Sequence, residues 1–255
     1  MAALLGAHAL VTGAAGGIGA AIARALAGAG AALSLAGRRA APLHALAAEL
    51  PHAHAIIADV ASAPAVATMA AAARTAYGPV DILIACAGAA LSAPVARIDF
   101  DHWQRMIDVN LTSAFLTVQA VLGDVTRAGA RSPRIVLIAS TAGLKGYAYV
   151  AAYCAAKHGV VGLARALAIE LAPAGVTVNA VCPGFTKTPL LAAALDRIVA
   201  TTGRSREEAE AELLRRNPQR RLVAPHEVAH TVLWLCTPEA QAITGQAISV
   251  SGGEV

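Results

Sequence analysis

A chain of 255 residues is long enough to bury the core of one α/β domain of ordinary size, and a single domain over 1–255 is expected. Hydrophobic residues make up 57% and charged residues 14%, yet the apolar positions are mostly alanine and polar residues interrupt them throughout, which excludes a disordered or low-complexity chain. The net charge of +4 favours anionic ligands without the basic stripe or aromatic content of a nucleic-acid binder.

The longest apolar stretch, 159–178, carries Arg165, Glu170 and Pro173, so no membrane span is expected. The start "MAALLGAHALVTG" lacks basic flanks and runs directly into a strand pattern, so no signal peptide is expected. Cys86, Cys154, Cys182 and Cys236 are widely spaced with no CxxC pair, which fits a reducing cytoplasm better than a disulfide framework or a thiol-rich metal site.

Short runs of Val, Ile, Leu and Ala alternate with longer helical patterns, the order of a parallel sheet covered by helices on both faces. Strands are predicted over 7–12, 31–35, 54–58, 82–86, 134–139, 177–181 and 247–250, giving a doubly wound seven-stranded α/β sheet. The unbroken apolar runs "DILIACAG" and "RIVLIAS" suit strands buried on both faces. Long helices are predicted over roughly 101–125 and 151–171. The stretch 186–222, rich in charged and helix-forming residues, is expected to be a helical lid within the domain. Gly203 would stop one of its helices, and Ser205 with Glu208 would cap the next.

The first strand leads into "TGAAGGIG", with Gly13, Gly17, Ile18 and Gly19 at the start of an amphipathic helix. Glycines let the backbone curve tightly and approach a pyrophosphate, while free N–H groups at the helix start face its charge. Gly13, Gly17 and Gly19 are spaced differently from the common G-x-G-x-x-G.

Further along, "AAYCAAKHG" places Tyr153 and Lys157 four residues apart, on one face of a helix. A phenol alone is a poor base at neutral pH; a neighbouring ammonium is expected to lower its pKa and fit it for proton exchange with a ketone or alcohol. Ser140, at the end of a buried strand, would hydrogen-bond the same oxygen.

As an ordered set, "TGAAGGIG" (12–19), "ADV" (58–60), "CAG" (86–88), Asn110, Ser140, "YCAAK" (153–157) and "PGFTKT" (183–188) resemble the short-chain dehydrogenase/reductase family nearly end to end. The resemblance implies a Rossmann-type domain and hydride transfer between a nicotinamide and an alcohol/ketone pair without metal, with Asn110, Ser140, Tyr153 and Lys157 as the catalytic group. Asn110 would fix a water that passes protons to Lys157. The family further implies adenine contacts at Asp59 and Val60, backbone contacts at Ala87 and Gly88, and nicotinamide positioning by Pro183, Gly184, Thr186 and Thr188. Most relatives are homotetramers packed through their long helices. The chain departs from the family in reading Ala85-Cys86 where Asn-Asn is usual, Thr186 where an aliphatic residue is usual, and Ser251 where aspartate is frequent. The last is expected to be a tolerated surface or interface change.

After the second strand, Arg38 and Arg39 stand where an NAD enzyme would present a carboxylate, so NADP(H) is expected ahead of NAD(H). Leu144, Tyr147 and Tyr149 are placed to line the cleft mouth. The cluster Arg215, Arg216, Arg220 and Arg221 reads first as solvated helix-end charge, with a grip on a substrate phosphate or carboxylate as the alternative.

The substrate expected is a 3-oxoacyl/3-hydroxyacyl thioester, such as an acyl-CoA, or otherwise another small or cyclic secondary alcohol or ketone. A catalytically silent nicotinamide sensor is disfavoured because the reactive residues are present. One motif points elsewhere: "HEVAH", 226–230, matches the zinc metallopeptidase pattern, with Glu227 as the water-activating base. No third ligand is identifiable, and Pro225 opens an ordinary helix there, so the match reads as chance placement on a structural helix.

Overall fold

The computed structural model describes residues 3–255. Seven strands, β1 (His8–Thr12), β2 (Ala32–Gly37), β3 (Ala53–Ile57), β4 (Ile82–Ala85), β5 (Arg134–Ile138), β6 (Thr177–Pro183) and β7 (Ala247–Val250), form one sheet in the order β3-β2-β1-β4-β5-β6-β7. Every neighbouring pair is parallel. The doubly wound sheet expected from the alternating pattern, of the Rossmann type that the family resemblance implies, is present, with boundaries moved by one or two residues.

Nine α-helices complete the described fold: α1 (Gly17–Gly28), α2 (Ala40–Glu49), α3 (Ala63–Tyr77), α4 (Phe100–Ile107), α5 (Ser113–Val125), α6 (Ala151–Leu171), α7 (Pro189–Thr202), α8 (Arg206–Leu214) and α9 (Pro225–Cys236). Because side chains alternate across a strand, each strand supplies both faces of the sheet. Leu10, Leu83, Ile135 and Leu137 pack with Val66 and Met69 of α3, Val118 and Val121 of α5, and Val160 and Val161 of α6. Val11, Ile84 and Val136 pack with Ile22 and Leu26 of α1, Leu43 of α2, and Val228, Val232 and Leu235 of α9. The strands are therefore apolar on both sides, which is why their sequences lack a polar alternation.

The N-terminal edge of the sheet is tied by Asp81, which accepts from the backbone N–H groups of His8 and Arg131, each at 2.9 Å, and pairs with Arg127. The opposite, C-terminal edge is left for the site. Between β1 and β4 the chain reverses its direction of travel across the sheet, and that crevice is where the glycine turn lies.

The single long helix predicted near 101–125 is divided. Residues Asp108–Thr112 form a π-helical turn between α4 and α5, with Ser113 N–H bonded to Asp108 O. By length and composition the helical stretch 100–125 would suffice to cross a membrane. It carries Asp101, Arg105, Asp108 and Asp124, however, and Met106, Asn110, Val118 and Val121 are buried within the fold. In the stretch expected to be a lid, Gly203 (φ 70°) ends α7 and Ser205 with Glu208 forms the capping box of α8, as the sequence indicates.

Candidate active site

The glycine turn has the geometry its sequence demands. Gly13 sits at φ 65°, where a Cβ would lie 2.8 Å from the backbone of Ala87, and a Cβ on Gly19 would collide with Gly13 O. No side chain caps α1 at Gly16, so the first N–H groups of the helix stay available to an anion. Ile18 is half-buried beside them. Gly17 passes under Thr188, whose Cγ2 would be 2.7 Å from a Cβ there, which brings the segment after β6 down onto the turn.

Thr12, which opens the "TGAAGGIG" motif but carried no role of its own in the sequence reading, joins the two central strands. Its hydroxyl accepts from Cys86 N–H at 3.1 Å and from Ala87 N–H at 3.3 Å. The tie between the ends of β1 and β4 therefore does not require the asparagine replaced by Cys86. Burial pushes the Cys86 thiol up to about 12, against a smaller downward pull from Lys157, so it is a poor nucleophile.

Past Ala87, Gly88 meets two of the four catalytic candidates: a Cβ on it would lie 2.8 Å from Asn110 Oδ1 and 3.5 Å from Lys157 Nζ. Asn110, in the π turn, is buried and its amide is spent on structure. It donates to Ala89 O at 2.9 Å and Met106 O at 3.0 Å, and accepts from Ala89 N–H at 3.3 Å. The amide thus fixes the loop after β4.

Lys157 is buried on α6 and donates to Ile138 O at 2.8 Å, while its ammonium lies 5.7 Å from the centre of the Tyr153 ring. Ser140 follows the same β5 strand and caps the 3-10 turn Thr141–Gly143, its Oγ accepting from Ala142 N–H at 3.1 Å.

The electrostatics depart from expectation. Burial pushes Tyr153 up to about 12, with the Ser140 hydroxyl pulling in the opposite direction, and burial pushes Lys157 down to about 8. Burial sets the direction of the Tyr153 shift, opposite to the lowering expected from a neighbouring ammonium; Lys157 lies 5.7 Å from the centre of the Tyr153 ring and donates a hydrogen bond to Ile138 O.

The other expected contacts divide. On β6 and beyond, Pro183 and Thr186 are buried, Thr186 donates to Gly184 O at 2.9 Å, and Thr188 donates to Thr186 O at 3.2 Å, forming a connected turn. Val60 is buried at the end of its loop and Asp59 is exposed, accepting from Ala61 N–H at 3.1 Å. Arg38 and Arg39 are both exposed, and Arg39 reaches across the glycine turn to donate to Ala15 O at 2.8 Å. A polyanionic dinucleotide fits this cradle: bare helix N–H groups at the turn and a guanidinium over its rim.

Leu144 and Tyr147 are half-buried after Ser140, but Tyr149 is 66% exposed and turns outward at φ 68°. Ser251, expected at the surface, is buried, its hydroxyl 2.7 Å from that of Ser249. The arginine cluster is dispersed: Arg215 pairs with Glu212, Arg216 lies 5.4 Å over the Tyr147 ring, and Arg221 grips Glu227. Glu227 accepts from Arg221 through both oxygens at 2.6 Å and from Ala224 N–H at 2.7 Å, which spends the carboxylate on the start of α9. His226 and His230 stack edge to face, with ring centres 5.8 Å apart, and no group of three or more His, Cys, Asp or Glu suited to a metal occurs among the described residues.

Comparison with known proteins agrees with this geometry. The sequence profile of short chain dehydrogenase matches residues 7–198. A putative ketoacyl reductase of Streptomyces coelicolor is 41% identical, over 96% of this chain and 95% of its own. A D-beta-hydroxybutyrate dehydrogenase of Cupriavidus necator is 36% identical over 99% of each chain. The crystal structure of a variant actinorhodin polyketide ketoreductase with NADPH superposes with a TM-score of 0.93 at 39% identity, covering 97% of both chains. With the parallel sheet, the glycine turn and the Ser-Tyr-Lys cluster in place, these matches establish that the chain is an oxidoreductase of the short-chain dehydrogenase family.

Proposed function

We propose that this oxidoreductase reduces a 3-oxoacyl thioester to the 3-hydroxyacyl product with NADPH, Tyr153 serving as the acid. The observation that carries the reading is the continuity of the site: Gly13 abuts Ala87, and the next residue, Gly88, abuts Lys157, so the dinucleotide turn and the proton-handling residues share one crevice. The bound nicotinamide would supply the hydride. Held near pKa 12, Tyr153 keeps its proton at neutral pH and can give it to a ketone oxygen. Ser140 Oγ accepts from Ala142 N–H, which leaves its own proton to bond that same oxygen and orient the carbonyl. Lys157 donates a hydrogen bond to Ile138 O, and its charge would stabilise the phenolate left on Tyr153. Asn110 steadies the loop that separates these groups from the glycine turn, and the backbone of the π turn around it would order the water that feeds protons to Lys157.

Gly13, Gly17, Ile18 and Gly19 would hold the pyrophosphate, Arg38 and Arg39 the 2′-phosphate, and Asp59, Val60, Ala87 and Gly88 the adenosine side. Pro183, Gly184, Thr186 and Thr188 would position the nicotinamide. The thioester assignment is supported by the ketoacyl reductase and polyketide ketoreductase relatives, and the half-buried Leu144 and Tyr147 give the mouth an apolar wall. The hydroxybutyrate dehydrogenase relative favours a small free 3-hydroxy acid as the second reading.

The chain is one domain, with 186–222 as its lid, working in the cytoplasm as a homotetramer. In support of assembly, Phe115 on α5 is 47% exposed and Ile169 on α6 is 80% exposed. A panel of 3-oxoacyl thioesters, cyclic ketones and 3-hydroxybutyrate, assayed by nicotinamide absorbance with both cofactors, tests the proposal. Highest efficiency on a thioester with NADPH is expected; preference for a free hydroxy acid with NAD would replace it.

A further inference from the structure

The last residues of the chain fold against the site. Beyond β7 the backbone turns at Gly252 (φ 65°) and Gly253 (φ 92°). A Cβ on Gly252 would collide with the Asn217 amide, and one on Gly253 would lie 3.4 Å from Pro218, so this turn runs flush against the loop after α8. It delivers Glu254 to a position where its side chain is 1% exposed. Glu254 Oε1 accepts from Tyr147 OH at 2.7 Å and lies 3.2 Å from Lys145 Nζ, which also donates to Glu254 O at 3.1 Å.

The Tyr147 hydroxyl is 2.7 Å from Thr141 Oγ1 as well. A phenol has one proton and a carboxylate none, so Tyr147 donates to Glu254 and accepts from Thr141. Thr141 directly follows Ser140 and opens the 3-10 turn that holds the Ser140 hydroxyl. The Tyr147 ring also has Arg216 5.4 Å from its centre and Phe185 edge-on at 6.0 Å. A relay of short contacts therefore runs from the chain end, through Tyr147, to the turn that carries Ser140, and it also touches the lid.

The other carboxylate oxygen, Glu254 Oε2, is buried without a hydrogen-bond partner among the described residues and lies against Gly184, 3.3 Å from where a Cβ would stand. Leaving a buried carboxylate oxygen unsatisfied is unfavourable, and exposure to water would remove that cost. The surrounding contacts hold it in place against this cost.

We propose that Glu254 is a positioning residue for ketone reduction: it fixes Tyr147, and through Tyr147 and Thr141 it sets the Ser140 turn and closes the cleft mouth against the lid. The proposal rests on the reading of Ser140 and Tyr153 given above. It is tested with Glu254→Ala, Glu254→Gln and Tyr147→Phe in the full chain, using 3-oxoacyl thioester kinetics, NADPH affinity by fluorescence and tryptic cleavage after Lys145. Glu254→Ala is expected to lower kcat/KM for the ketone at least ten-fold, mainly through KM, with NADPH affinity within two-fold of the parent. Glu254→Gln, whose amide oxygen still accepts from Tyr147, is expected to recover to within about three-fold, and Tyr147→Phe combined with Glu254→Ala to be no worse than either alone. A folded Glu254→Ala with ketone kcat/KM within two-fold of the parent overturns the proposal, as does a double variant whose losses multiply. Should Glu254→Ala fail to fold, Tyr147→Phe alone, which leaves the Lys145 pair intact, decides by the same thresholds. Cleavage after Lys145 is expected to quicken at least ten-fold in Glu254→Ala. Because cleavage needs no turnover, quickening in a chain that reduces no ketone would refute the functional reading while leaving the positioning role of the Glu254 contacts, and unchanged cleavage would refute that positioning itself.

Discussion

Asn110 and Lys157 approach Gly88 from two different helical segments, and only a hydrogen atom fits between them: a Cβ there would lie 2.8 Å from Asn110 Oδ1 and 3.5 Å from Lys157 Nζ. The Asn110 amide is already committed to Ala89 and Met106, so it cannot retreat without releasing the loop after β4. Gly88→Ala is therefore expected to fold and yet lose ketone turnover by about 10- to 100-fold, the usual cost of a misplacement near 1 Å. Circular dichroism and steady-state kinetics read the two halves of this expectation, and full turnover in a folded variant would show that the approach has no part in the reaction.

The values of about 12 for Tyr153 and about 8 for Lys157 give reduction a definite pH dependence. Across pH 6–9 the phenol remains protonated and able to act as acid, while the lysine loses its charge as pH rises through about 8. Since kcat/KM reports the free enzyme, it is expected to be level at pH 6–7 and to decline above about 8. Lys157→Met should be slower throughout and should lack that decline. Tyr153→Phe is expected to retain NADPH affinity while losing at least 100-fold in turnover, as removal of a general acid does. A Tyr153→Phe enzyme with near-parental rates would end the assignment.

The sheet was legible because parallel strands must be apolar on both faces, and the Tyr153–Lys157 pair because a spacing of four places two side chains on one helical face. The π turn at Asp108–Thr112 was not, since one widened turn leaves the apolar pattern of the flanking helices intact. Glu254 escaped for a different reason. An acid near a chain end ordinarily reads as solvated, and its burial depends on contacts 107 and 109 residues away in sequence. The same holds for Ser251, whose burial comes from how the chain closes after β7. Signals confined to a helix or strand can be read locally, whereas those created when distant segments meet require the fold.

Arg39 lies over the glycine turn through its bond to Ala15 O, but it is exposed and free to take a second partner. With a 2′-phosphate as that partner, Arg39→Ala is expected to lower kcat/KM with NADPH by about 10- to 100-fold, the range of a lost charge-assisted contact, while changing the value with NADH by less than three-fold. Equal losses with both cofactors would mean that Arg39 shapes the turn and does not read the phosphate.

Glu227 offers a test that separates the stability of the start of α9 from the chemistry its sequence motif advertises. Its carboxylate is drawn down to about 2 from an ordinary 4.5, first by the Arg221 guanidinium and then by Ala224 N–H. The folded value is the depressed one, so its contribution to stability is fully present above 4.5 and is lost as pH falls toward 2. The side chains of Arg221 and Glu227 are 50% and 30% exposed, so solvent screening limits the pair to about 0.5–1 kcal/mol. Loss of the helix-start contact in Glu227→Ala adds about 1 kcal/mol. Glu227→Gln keeps an acceptor for Ala224 but not the charge, and urea denaturation is expected to show it less stable than the parent at pH 7, with the difference shrinking by pH 3. Ketone turnover in both variants, and in the parent treated with a chelator, is expected to stay within two-fold. A metallopeptidase would cleave peptide bonds and lose that cleavage in either substitution or with the chelator, so chelator-sensitive peptide cleavage abolished in Glu227→Gln would return the "HEVAH" segment to a catalytic role.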